Sequence, residues 1–257
     1  MMKKYHVHGK VVRQTLDSRR NEMDTDARLL LHPSEFPLPF NSEVIEVQES
    51  WIRLRSTEFY PTGGGQPHDT GLFRFEKNEV SVTDVKGRNE VMHLVDGIVP
   101  TVGTIVHGII DTERRSILAR MHTAQHLASA LAHEYWGGIT VGNQIGIEST
   151  RIDIQFEDRD SFEPEELIER INDEIKSNHK VNMNHRSLDE LKLDPMVRID
   201  LSRIPNVSSL RVIDIDSIDV CPCAGTHVES TGVIPRIKLD GVKSKGAGKL
   251  RVTYRFE

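Results

Sequence analysis

Two histidines, His122 and His126, stand four residues apart in the stretch RMHTAQHL, and about a hundred residues later CPCAGTHV sets Cys223 and His227 at the same spacing. On a helix, side chains four apart leave from the same face, so such a pair can grip one metal ion. A single HxxxH is a weak signal. Two soft pairs in one chain make a four-ligand set, and nitrogen with sulfur donors suits zinc over magnesium or calcium. Zinc in such a set polarises a carbonyl and activates water near neutral pH, the equipment for hydrolysing an ester. Four protein ligands also describe a closed structural site, whereas catalysis wants an open position. Both readings stand at this stage, beside a third in which the side chains act partly without metal. A zinc peptidase carries a glutamate base directly after its first histidine; here that residue is Thr123, which argues against a peptidase.

The rest of the cysteine inventory supports a ligand role. Cys221 and Cys223 are the only two cysteines, one proline apart, too close for an unstrained disulfide and too few for a secreted scaffold. Cys221 is a spare thiol. Apolar residues make up 37% and charged residues 28% of 257 positions, the balance of a soluble globular chain with a real core. No apolar run is long enough to span a membrane, and the first residues lack the apolar centre of a signal peptide, so a cytoplasmic location is expected. A net charge of −6 argues against wholesale wrapping of nucleic acid, and no DNA partner is expected.

Two further stretches carry possible chemistry. Gly63, Gly64 and Gly65 followed by Gln66 make a loop whose backbone a substrate can approach closely, or simply a tight turn between strands. The spacing is not that of an ATP-binding P-loop. Lys243, Lys245, Lys249, Arg251 and Arg255 form a basic strip with no acid among them, a local nucleic-acid contact or an ordinary solvated loop and strand.

These residues need elements to position them. Up to about residue 110 the chain reads mostly as strands, with half-buried alternation in 44–55 and 79–85 and a β-branched run in 104–110. The segment 32–39, with three prolines, reads as a loop. From Asp111 the pattern turns helical: Ile117, Met121, Ala124, Ala128 and Leu131 form a core-facing stripe, and His122 and His126 lie off its centre. Gly137 and Gly138 stop that helix, and His133 lies too far along it to share the ion. Pro164 opens a second amphipathic helix, and strands are expected at 151–156, 210–215, 217–220, 232–239 and 250–256. The result is an α+β chain of two lobes, residues 1–107 and 108–257.

Taken together, TEFYPTGGGQPHDTG, IDTERR, RMHTAQHL, CPCAGTHV and KSKGAG resemble, in order over residues 44–255, the editing half of alanyl-tRNA synthetases. The length resembles the stand-alone alanyl-tRNA editing proteins of the medium type. That resemblance implies an N-terminal β-barrel-like lobe and a second α/β lobe of the kind shared with threonyl-tRNA synthetases. It implies a zinc-dependent, ATP-independent hydrolase that removes serine, or glycine, from mischarged tRNA(Ala). Carried across, the zinc ligands are His122, His126, Cys223 and His227, Thr57 is the residue linked to recognition of the serine hydroxyl, and Gln66 brings the glycine-rich motif to the site. Lys243, Lys245, Lys249 and Arg251, with Arg114 and Arg115, are the expected tRNA contacts. The runner-up is a tRNA-binding module in which zinc is purely structural.

Overall fold

The structure, a computed structural model, describes residues 36–87, 90–201, 204 and 207–257; the readings that fall on residues 1–35 lie outside it. The strand-patterned part of the first lobe closes on itself. Six strands, β1 (Phe40–Gln48), β2 (Trp51–Leu54), β3 (Gly71–Phe75), β4 (Asn78–Lys86), β5 (Met92–Asp96) and β6 (Ile105–Ile110), form a closed antiparallel barrel in the order β1-β2-β5-β4-β3-β6. Closure leaves no unpaired edge, and the alternation fills the interior with Val44, Ile52, Phe73, Val82 and Val106. The alternating stretch 44–55 is two strands rather than one. Glu49, at φ 55°, reverses the chain and pairs Gln48 with Trp51.

The chain leaves the barrel at Ile110, so the expected break after residue 107 falls inside β6. Asp111 caps the next element, its carboxylate accepting the Arg114 N–H at 3.0 Å, and α1 (Thr112–Trp136) runs to Gly137 in the left-handed conformation. The amphipathic reading understates how deep this helix lies. It is buried on nearly every side from Arg115 to Ala132, with Met121, Ala124 and Ala128 in the apolar core and the two histidines buried opposite. Helix α2 (Pro164–Ser177) begins at its proline and buries Leu167, Ile168, Ile171 and Ile175, as its spacing requires.

Two sheets complete this unit. One has four strands in the order β12 (Ile237–Ser244), β13 (Lys249–Phe256), β8 (Thr150–Gln155) and β7 (Ile139–Gln144). The other has three, β11 (Asp219–Pro222), β10 (Leu210–Ile215) and β9 (Val181–Arg186), beside the short helix α3 (Leu188–Lys192). The strand expected at 232–239 starts only at Ile237: Thr231–Val233 form a 3-10 turn and Pro235 has no N–H for a ladder. It then continues to Ser244, so the first part of the basic strip is strand, Lys243 opposite Arg251. No helix among the described residues is long and apolar enough to cross a membrane.

Candidate metal centre

Helix α1 presents His122 and His126, and the loop after β11 presents Cys223 and His227. Their ligand atoms all lie within 4.8 Å of one another. Cys223 Sγ is 3.6 Å from His122 Nε2 and 3.3 Å from His227 Nε2. A tetrahedral zinc with ordinary Zn–N and Zn–S bonds needs nitrogen and sulfur about 3.6 Å apart, so the spacing fits. The loop comes this close because residue 225 is glycine: a Cβ there would stand 2.1 Å from His122 Cε1.

Each imidazole is turned by a partner on its far nitrogen. His122 Nδ1 donates to Gln66 Oε1 at 2.8 Å, His126 Nδ1 to Asp219 Oδ2 at 2.9 Å, and His227 Nδ1 to Thr123 Oγ1 at 3.1 Å. Thr123 must accept there, because its own proton goes to the Ala119 carbonyl at 2.9 Å. With all three Nδ1 atoms occupied as donors, the Nε2 atoms are the ones left to a metal, and those of His122 and His227 face Cys223. Thr123, where a zinc peptidase would have its base, therefore orients a ligand. Asp219 is in turn held by Arg198 at 3.3 Å. Cys221 lies near His126 and Asp219, but that carboxylate is spent on the His126 N–H, so the trio belongs to the surroundings of the site.

The electrostatics tie the four groups into one cluster. Burial alone would push the Cys223 thiol up, but His122 and His227 hold it well below the usual thiol range. Burial, and then the neighbouring His122, press His227 well below the ordinary imidazole value. For His126 burial opposes protonation, yet Asp219 and Cys223 carry it up to about 10, so a metal binding there must displace its second ring proton. Cys221, with burial and Asp219 against it, is pushed up and stays a thiol. Only Cys223 is poised as a thiolate.

The barrel reaches this centre through the glycine-rich turn. Gly63 and Gln66 exchange both backbone hydrogen bonds, so the glycines do form a tight turn. The turn also docks the lobes: Gly65 accepts from Ile145 N–H at 2.8 Å, and a Cβ on it would lie 1.9 Å from Asn143 Oδ1. Gln66, 1% exposed, is wholly engaged: Oε1 also accepts the Thr226 N–H at 3.0 Å, and Nε2 donates to the Thr226 hydroxyl at 2.9 Å.

The structure thus gathers five expected site residues, His122, His126, Cys223, His227 and Gln66. Thr57 is placed differently. Its hydroxyl is 2.8 Å from His93 Nε2 and accepts the Phe59 N–H at 3.1 Å; neither bond reaches the four-ligand group. Arg115 corrects an expectation. It is fully buried, paired with Asp69 and donating to the Glu58 carbonyl at 2.7 Å, so it has no surface to offer a phosphate. Arg114 is half-buried and donates to the His68 carbonyl at 3.0 Å. Arg251 is forked onto Asp153 at 2.6 and 2.8 Å, while Lys243, Lys245 and Lys249 are exposed. Sequence reasoning missed Asp219, Thr123, Asn143 and Arg211, whose contacts come from distant elements.

Comparison with known proteins agrees with this layout. Residues 1–114 match the family described as class II (A) tRNA synthetases, and residues 210–253 match the threonyl and alanyl tRNA synthetase second additional domain. The chain is 35% identical over 221 residues to the alanyl-tRNA editing protein AlaX-M of Saccharolobus solfataricus, covering 84% of this chain and 92% of that one. It belongs to the alanyl-tRNA editing proteins. A second member, AlaX-M of Methanosarcina acetivorans, is 34% identical over 219 residues, 80% of this chain and 89% of its own length. The alanine–tRNA ligase of Pyrococcus furiosus is 35% identical over 224 residues, but those are 83% of this chain and only 24% of the ligase. The editing protein therefore corresponds to a part of the ligase.

Proposed function

We propose that this editing protein hydrolyses the ester of tRNA(Ala) mischarged with serine, or with glycine, at a zinc centre held by His122, His126, Cys223 and His227. The observation that carries this reading is the four-ligand group with Gln66 of the glycine-rich turn bonded to His122. When bound, zinc supplies a Lewis acid for the ester carbonyl. The histidines are buried and Cys223 is only half-buried, so the substrate's approach is on the thiolate side.

Selectivity cannot come from size, because alanine is smaller than serine and always fits. A hydrogen bond to the serine hydroxyl can discriminate, since alanine would leave its partner unsatisfied. Thr57 is the candidate partner, and its surroundings fix its role. His93 Nδ1 lies 3.2 Å from the Ile52 carbonyl and donates to it, leaving Nε2 to accept the Thr57 proton. Thr57 can then only accept from a ligand. Lys243, Lys245 and Lys249 would contact phosphates of the tRNA.

Four protein ligands favour one other reading, a tRNA-binding module whose zinc is structural. Incubating the zinc-loaded protein with tRNA(Ala) charged with serine, glycine or alanine separates the two. Release of serine or glycine faster than of alanine supports the hydrolase; three esters that decay at their spontaneous rates rule it out.

A further inference from the structure

Arg211, on β10, is 8% exposed and has no carboxylate beside it. Arg115, the other deeply buried guanidinium discussed above, is paired with Asp69. The groups that act on the Arg211 charge are Cys223 and Tyr60, one from each lobe. Its Nη1 donates to the carbonyls of Cys223 at 2.6 Å and Gly225 at 2.9 Å, and Nε rests on Met183 Sδ at 2.8 Å. Nη2 has no partner among the described residues. No buried side-chain nitrogen or oxygen among them lacks one, so Nη2 is the edge that still meets solvent.

Clamping two carbonyls calls for donors, not for a permanent charge. The opposite charge nearest to it is the Cys223 thiolate, which a bound metal would take up; a cation buried with no carboxylate of its own marks a place where an anion arrives. We propose that Arg211 binds the phosphodiester that joins the terminal adenosine to the rest of the acceptor strand. This rests on the hydrolase reading above. The phosphates are the only anions of an aminoacyl-tRNA, and the one on the terminal nucleotide lies nearest the ester. Arg211 holds the backbone of the ligand loop itself, so an ester at the centre brings that phosphate to its free edge. Guanidinium suits phosphate better than ammonium does.

Steady-state hydrolysis by Arg211→Gln and Arg211→Lys is compared on seryl-tRNA(Ala) and on 3′-O-seryl-adenosine, which has no phosphate, with zinc content measured in parallel. The expected result is a rise in KM on the tRNA that exceeds any change on the adenosine ester by about tenfold, at full zinc content, with Arg211→Lys less affected. Equal losses on both substrates, or loss of zinc, would overturn the proposal and leave Arg211 a clamp on the ligand loop. Wild-type protein gives a second test that no folding defect can spoil. Adenosine 5′-methylphosphate should inhibit about tenfold more strongly than adenosine, and equal inhibition would also overturn the proposal. A wild-type protein that leaves seryl-tRNA(Ala) intact would instead contradict the hydrolase reading.

Discussion

Gln66, in the glycine-rich turn of the barrel, accepts the Nδ1 proton of His122, on the long helix of the second unit, at 2.8 Å. The bond spans 56 positions of sequence and joins the lobes at the candidate metal centre. Because Gln66 also makes two bonds to Thr226, in the CxxxH loop, one side chain sets the relative position of both ligand pairs. The barrel is therefore part of the candidate metal site.

Gln66→Met keeps the bulk and removes the acceptor. Loss of such an outer partner weakens metal binding by about 10–100-fold. Competition with a chelator of known affinity measures it. Unchanged zinc affinity would show that His122 is oriented without the barrel.

The two thiols are expected to behave differently. Cys223→Ala removes a ligand and should abolish stoichiometric zinc binding and hydrolysis together. Cys221→Ala should spare both, since its thiol stays protonated and Asp219 is already bound to His126. Metal analysis and deacylation rates on the two variants check this. A greater loss from Cys221→Ala would mean that the wrong thiol has been assigned.

How much of this was legible beforehand follows from the range of each contact. The four-residue group could be read because both pairs are local, four residues apart: helical geometry aligns His122 with His126, while Cys223 and His227 meet across a loop that the CxxxH spacing only hints at. The barrel could be read because alternation is also local, although the reversal at Glu49 was hidden inside a run that alternates across it. The residues that orient the ligands could not be read. Asp219 and His126 are 93 positions apart, and Thr123 and His227 are 104 apart, so only the folded chain pairs them. Arg114 and Arg115 look like one surface dipeptide, yet a helix turns neighbours about 100° apart, and Arg115 points at Asp69 inside the seam.

Arg115→Met would leave Asp69 buried without its counter-ion. Breaking a buried pair in this way costs about 3–5 kcal/mol. Urea denaturation should show a loss of that order with an unchanged slope. A loss below about 1 kcal/mol, the range of an exposed pair, would mean that the seam does not depend on this contact.

His93 gives a pH signature. Burial among Phe59 and Phe73 presses its pKa from 6.5 to about 4. The folded state then binds fewer protons than the unfolded state between those values. The stability tied to neutral His93 is present above pH 6.5 and is lost as pH falls toward 4, up to about 3 kcal/mol. His93→Phe should flatten this fall between pH 7 and pH 4.5 and free the Thr57 proton. Equal falls in the two proteins would place the titration elsewhere.

Thr57→Val removes the hydroxyl while keeping the shape. The ratio of serine to alanine release from tRNA(Ala) should drop by about 1–2 kcal/mol in activation free energy, the worth of one hydrogen bond. An identical ratio would exclude Thr57 from selectivity.

The central claim is that hydrolysis depends on the metal held by His122, His126, Cys223 and His227. It is tested most directly by stripping the protein with a chelator and following seryl-tRNA(Ala) deacylation as zinc is returned. Activity should vanish on stripping and recover in proportion to zinc up to one equivalent, with the protein folded throughout. Full activity in the folded, metal-free protein would contradict the account.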